Sequence, residues 1–117
     1  MDEVLNLTVA VPTYNMEKYL RRNLESIVAA NCNGIEVLIL DNSSTDDSGH
    51  IADLYAQKYP HIFTVIHKEN RGYGSSINLA IEKAKGRYLR IVDADDWIEP
   101  EALSELVSQL KNQTADL

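Results

Sequence analysis

Four times along this chain an apolar run stops in a cluster of polar turn residues and gives way to apolar positions at helical spacing. Leu5 to Val11 is the first run, rich in Val and Leu and suited to a strand. Pro12 is expected to end it, because proline cannot donate to a central ladder. Behind the loop Pro12-Thr13-Tyr14-Asn15, with Asn15 as N-cap, the residues Leu20, Leu24, Ile27 and Val28 form the stripe of an amphipathic helix that Asn33-Gly34 closes. Ile35 to Leu40 is a near-continuous apolar run, the pattern of a strand covered on both faces. The loop Asp41 to Asp47 follows, with Asp46, Asp47 or Ser48 as N-cap of a helix whose inner stripe is Ile51, Leu54 and Tyr55, and Pro60 stops it. Phe63 to Ile66 is a third strand and Lys68 to Gly74 the next polar loop. Ser75 or Ser76 then starts a helix lined by Ile77, Ala80, Ile81 and Ala84, with Gly86 at its C′ position. Tyr88 to Val92 suits a fourth buried strand. Pro100 takes the first turn of a last helix with Leu103, Leu106, Val107 and Leu110 inside. Beyond it, Asn112 to Leu117 carries no strong pattern and reads as a frayed end.

Strands that alternate with helices imply an α/β fold with a mostly parallel sheet. Parallel connection sends every strand-to-helix loop to the carboxyl edge of the sheet, where open α/β sheets bind ligands. Those loops hold a large share of the Asp, Asn, Ser, Thr and Gly, whereas the opposite loops hold turn residues and little else. The fourth loop is the most pointed. In Asp93-Ala94-Asp95-Asp96-Trp97, two carboxylates flank one small residue and can approach the same point. Such oxygens are hard ligands, suited to Mg²⁺ or Mn²⁺ carrying phosphates. The plain alternative is an acidic turn that caps a strand.

A formal net charge of -7 and a pI near 4.8 argue against a nucleic-acid partner and an anionic membrane surface. No apolar stretch approaches the roughly 20 residues of a membrane span, and the acidic start Met1-Asp2-Glu3 is unlike a signal peptide, so direct membrane insertion is not expected. The lone Cys32 rules out an internal disulfide, fits a reducing compartment and reads as inert. Residues 1–117 read as a single cytoplasmic domain, reaching the inner face of a membrane only through regions outside the chain.

The order Val11-Pro12-Thr13-Tyr14-Asn15, Leu40-Asp41-Asn42-Ser43-Ser44-Thr45-Asp46, Asn70-Arg71-Gly72 and Val92-Asp93-Ala94-Asp95-Asp96-Trp97 resembles family 2 glycosyltransferases. The resemblance runs from Leu7 to about Leu110. It implies a Rossmann-like GT-A nucleotide-diphospho-sugar-binding fold with helices on both faces of the sheet. The implied reaction is metal-dependent transfer of a sugar from a nucleotide-diphosphate donor to an acceptor hydroxyl, with inversion. Carried over residue by residue, Pro12, Thr13 and Tyr14 would line the base pocket. Asp41 and Asn42 would face the base, and Arg71 and Gly72 the ribose or phosphate. Asp93 and Ala94 would lie by the ribose, with Asp95 and Asp93 on a Mn²⁺ or Mg²⁺ ion. The resemblance implies a UDP-sugar first, but the family commonly has a second Asp at the position of Asn42, and that departure opens dTDP- and GDP-sugars as alternative donors.

The family's general base and most acceptor contacts lie downstream of the acidic motif. The chain is therefore expected to be the N-terminal, donor-binding part of a longer enzyme that acts on a glycan or lipid-linked acceptor. A non-catalytic nucleotide-sugar or metal-binding module is the alternative. A sugar-phosphate nucleotidyltransferase is disfavoured because no Gly-rich basic signature follows the first strand. A homodimer is an option if an edge strand is left to pair. Several residues keep a second reading: Tyr14 as packing at the helix start, Asp41 as a strand-end cap, Arg71 as a solvated side chain. Gly72 and Gly74 could serve only a positive φ, and Trp97 could be a wedge between sheet and helix. His50, His61 and His67 show no metal-ligand spacing.

Overall fold

The apolar runs form β1 (Leu7–Thr13), β2 (Ile35–Asp41), β3 (Phe63–His67) and β4 (Tyr88–Ile91) in a computed structural model that describes residues 5–31 and 33–112. Between and after them lie α1 (Glu17–Ala30), α2 (Ser48–Lys58), α3 (Tyr73–Lys83) and α4 (Pro100–Asn112). The strands are all parallel, in the order β3-β2-β1-β4. Cys32, residues 1–4 and residues 113–117 lie outside the described residues, so the readings of Cys32, the N-terminus and most of the tail have no counterpart here.

Side chains along β1 and β2 alternate between two cores, as the period of a strand requires. Val9, Val11, Val37 and Ile39 join the larger core under α1, α2 and α4, with Leu20, Leu24, Ile27, Ile51, Leu103 and Val107 opposite. Ala10 and Leu40 face α3 through Ala80, with Ile66, Leu79, Leu89 and Ile91 partly covered around them. Helices thus cover both faces, three against one. Each fully buried Leu or Ile of the larger core contributes about 1.5–3 kcal/mol. No helix among the described residues is long and apolar enough to cross a membrane.

Several local expectations give way to non-local packing. Pro12 does not end β1 but lies inside it, opposite Leu40. Ala10 bonds toward β4 and Thr13 toward β2, so Pro12, two residues after Ala10, turns its missing N–H to the β4 side. Pairing with β4 has already stopped at Ala10, so no ladder bond is lost. Asn15 does not cap α1, because it sits at φ 51°. Its Oδ1 accepts instead from the Thr45 and Asp46 amides at 2.8 and 3.3 Å. The free amides at the start of α1 go to the second loop and the helix after it: Met16 N donates to Ser48 Oγ (2.8 Å), at the start of α2, and Glu17 N to Asp46 Oδ2 (3.2 Å). That helix ends before Asn33-Gly34, with Asn31 left-handed at its C-cap.

Leu54 and Ile81 are solvent-exposed, and Ala52 and Ser76 take the inner positions expected of them. Helix α3 begins at Tyr73 rather than at Ser75 or Ser76, and ends before Ala84, which is extended. Gly86 is not a helix C′ residue. Its backbone presses on β1, where an added Cβ would lie 2.5 Å from Thr8 N. Strand β4 is half-buried rather than buried, because it pairs only with β1 and α3 covers little of it. Trp97 is no wedge: it is half-exposed beneath the Arg22 guanidinium, 4.8 Å from its ring, and Ile98 fills the buried position.

Candidate functional site

Because the strands are parallel, the loops after Thr13, Asp41, His67 and Ile91 emerge at one edge of the sheet. They enclose a cleft of about 400 Å³. Its walls are Pro12 and Thr13 at the end of β1, Tyr14 and Met16 from the first loop, Asn42 from the second, Asn70 from the third with Tyr73 at the start of α3, and Asp93, Ala94 and Asp95 from the fourth. All four loops contribute.

The acidic wall is a tight turn, closed by Asp96 N donating to Asp93 O at 3.0 Å. Ala94 is buried in the larger core and anchors the turn from below. The carboxylates of Asp93, Asp95 and Asp96 stay exposed, and one oxygen of each lies within 4.8 Å of the others. Three hard anionic donors that converge from one turn fit a small divalent cation coordinated by oxygen. Across the cleft, Tyr73 Oη donates to Asp93 Oδ1 at 2.8 Å. That hydrogen bond, together with partial desolvation, raises the Tyr73 hydroxyl above its ordinary value of 10.0.

Asn42 is buried beneath the first two loops, and its Oδ1 is doubly engaged, by Lys68 Nζ at 2.7 Å and Ser76 Oγ at 3.0 Å. The group it has left for a ligand is the amide NH₂, a donor.

Asp41 does not line the cleft. Its Oδ1 accepts from Ser44 N at 3.1 Å and its Oδ2 pairs with His67 Nδ1 at 2.9 Å, so it holds the second loop from behind. His67 Nε2 lies 2.9 Å from Asp53. A ring with a carboxylate at each nitrogen is best satisfied doubly protonated. The hydrogen bond to Asp41 and then that to Asp53 raise the His67 pKa above 6.5.

A raised folded-state pKa means that the imidazolium's stabilisation is complete below pH 6.5 and is lost as pH rises through the higher folded value. Urea midpoints measured from pH 6 to pH 9 are expected to fall more in the wild type than in His67→Gln. Parallel curves would show that the pair contributes nothing.

Arg71 also lies outside the cleft, ion-paired with Glu69 at 3.0 Å and largely exposed. Gly72, at φ 90°, is the N-cap of α3 and needs its glycine for that backbone. Its amide donates to Asn70 Oδ1 at 3.1 Å.

Of the residues expected at the site, Pro12, Thr13, Tyr14, Asn42, Asp93, Ala94 and Asp95 come together, whereas Asp41, Arg71 and Gly72 stand behind or beside them. Met16, Asn70 and Tyr73 escaped sequence reasoning, although Asn70 and Tyr73 stand in a loop it had marked. Position in the loop was the available signal for both.

Comparison with known proteins points the same way. The model of the family "Glycosyl transferase family 2" matches residues 8–117. Glycosyltransferase GlyG of Streptococcus pneumoniae is 36% identical over 112 residues, which is 95% of this chain and 37% of GlyG. Among solved structures, Staphylococcus aureus TarS 1-349 in complex with UDP-GlcNAc superposes with a TM-score of 0.81 at 31% identity, covering 92% of this chain and 32% of TarS. The mannosyltransferase PcManGT of Pyrobaculum calidifontis, in complex with GDP-Man and Mn²⁺, gives a TM-score of 0.79 at 28% identity, over 96% of this chain and 33% of that protein. The chain spans about a third of the length of these relatives. A GT-A sheet, a four-loop cleft at its carboxyl edge and a family match over nearly every residue agree: the chain belongs to glycosyltransferase family 2.

Proposed function

We propose that the cleft binds a nucleotide-diphosphate sugar, a UDP-sugar foremost, and that the chain is the donor-binding portion of a metal-dependent, inverting glycosyltransferase acting on a glycan or lipid-linked acceptor. The observation that carries this reading is the composition of the cleft walls: an exposed Tyr14 ring and the Asn42 amide on one side, clustered carboxylates on the other. A base, a ribose and a diphosphate need those chemistries in that succession. The complexes of TarS with UDP-GlcNAc and of PcManGT with GDP-Man and Mn²⁺ support the ligand class.

In this reading Pro12, Thr13 and Tyr14 flank the base, and the Tyr14 ring packs on its face. Asn42 donates its NH₂ to a base carbonyl. Asp41 acts one step removed, by fixing the second loop through Ser44. Asp93 and Ala94 lie by the ribose, and Asp95 and Asp93, with Asp96 beside them, hold Mn²⁺ or Mg²⁺. By holding the cation, these carboxylates would bring to the site a Lewis acid that offsets charge on a leaving diphosphate. Tyr73 restrains the Asp93 carboxylate by its hydrogen bond to Oδ1. Arg71 reaches a phosphate by leaving Glu69, at small cost because exposed ion pairs contribute only about 0–1 kcal/mol.

Calorimetric titration of the 117-residue chain with UDP, dTDP and GDP, in Mn²⁺ and in chelator, tests the reading. UDP is expected to bind, and at least tenfold more tightly with Mn²⁺. Tighter binding of GDP or dTDP would reassign the base. Failure of all three in both conditions would sink the donor site.

A further inference from the structure

Beneath the acidic turn lies a polar side chain that no ligand can touch. Asn23, on the inner face of α1, is fully buried. Its Nδ2 donates to two backbone carbonyls of the turn, Asp93 O at 3.1 Å and Asp96 O at 2.9 Å. These are the first and last residues of the turn, the same two that Asp96 N and Asp93 O join. One amide group thus brackets the segment that carries the carboxylates. One helical turn on, Ser26 Oγ accepts from Ile98 N at 3.1 Å and donates to Asn23 O at 2.5 Å. The two side chains tie the backbone of residues 93 to 98 to a helix that itself packs on the sheet.

The orientation of the Asn23 amide follows from its partners. Flipped, its oxygen would face two carbonyl oxygens, which only a donor can satisfy. The unflipped amide leaves Oδ1 buried with no partner among the described residues. An orphaned buried acceptor costs about 1–3 kcal/mol, and a leucine of similar size would avoid that cost. For packing alone the amide is the poorer residue, and what it gains is confined to the turn. The carboxylates themselves are exposed and cannot fix their own spacing. Tyr73 restrains Asp93 only.

We propose that Asn23 is a positioning residue for the acidic turn, with Ser26 as its support: the buried α1 amide sets the separation of the Asp93, Asp95 and Asp96 carboxylates and so their affinity for a divalent cation. This role rests on the donor-site reading above.

The test compares wild type with Asn23→Ala, well below both melting temperatures. Mn²⁺ binding is followed by the electron paramagnetic resonance signal of the free ion, and UDP binding by calorimetry in chelator. Amide hydrogen exchange at Asp96 and Ile98 reports the turn itself. Asn23→Ala is expected to weaken Mn²⁺ binding about tenfold and to speed exchange at both amides, while UDP binding in chelator stays within twofold of wild type. A residue of merely structural importance would lower the melting temperature and leave both affinities unchanged. If Asn23→Ala does not fold, Ser26→Ala carries the same comparison with a smaller loss in the same direction. Mn²⁺ binding within twofold of wild type in a folded variant would overturn the positioning role alone. A wild type that binds neither Mn²⁺ nor UDP would overturn the donor reading, and this role with it.

Discussion

Replacing Asp95 by Ala is expected to weaken Mn²⁺-dependent nucleotide binding by about 100-fold, the upper end of what is lost when a metal site forfeits even an outer-shell partner. Asp95 lines the cleft, its carboxylate is exposed, and its side chain makes no hydrogen bond among the described residues. The two other carboxylates near it leave a net binding charge, but the remaining pair presents fewer oxygens than a small divalent ion requires. The turn that bears Asp95 is held elsewhere, by the buried Ala94 methyl, the Asp96-to-Asp93 hydrogen bond and the Asn23 amide. The substitution should therefore shift stability by no more than about 0.5 kcal/mol, as surface changes away from special features do. A thermal melt beside the calorimetric titration separates the two effects. An unchanged melt with an unchanged Mn²⁺ dependence would assign the cation to other residues.

The largest expected effect on stability comes from one methyl group far from the cleft. Gly86→Ala should cost about 3 kcal/mol, a large share of the 5–15 kcal/mol that holds a domain of this kind together. An added Cβ would stand 2.5 Å from Thr8 N and 2.7 Å from Leu7 C, which are backbone atoms of the central strand β1. No side-chain rotation relieves that overlap, so the whole connection into β4 has to move away. Moving it breaks two hydrogen bonds, Gly86 N to Thr8 Oγ1 (2.8 Å) and Lys85 N to Glu36 Oε2 (2.6 Å), the oxygen that also accepts from Thr8 Oγ1 (2.6 Å). Gly74→Ala is the control. A Cβ there meets nothing within 4 Å, and the residue lies in the first turn of α3, where Ala is the better helix former by at most about 1 kcal/mol. Urea unfolding should put the two midpoints on opposite sides of the wild type. A Gly86→Ala midpoint at or above wild type would mean that the connection yields freely.

The candidate site was legible to the depth of its loops. Apolar runs ending in Asp, Asn or Thr tell which loops gather at one edge, and the spacing of Asp93 and Asp95 marks them as candidate ligands that the family resemblance then favours over a plain acidic turn. Within a loop the reading faltered. Asp41 and Asn42 are neighbours of similar size, yet His67 and Ser44 draw Asp41 behind the loop while Lys68 and Ser76 pin Asn42 at the cleft wall. Arg71 and Tyr73 stand two residues apart. Glu69 draws the first outward, and Asp93 draws the second across the cleft. Capping differs in the same way at α1, whose amide donors are met by Asp46 of the second loop and Ser48 of α2 rather than by Asn15.

By itself the sequence determined the α/β alternation, the inner stripes of α1 and α4, the parallel sheet and the edge at which chemistry gathers. These follow from periodicity, which each element carries within its own residues. Only the tertiary structure decided which side chain of each loop enters the cleft, that Gly86 is required by the strand beneath it, and that Asn23 underlies the acidic turn. In the chain Asn23 and Asp93 lie 70 positions apart. A hydrogen bond over that separation leaves no period to read, because it exists only once α1 and the turn after β4 are packed on the same face of the sheet.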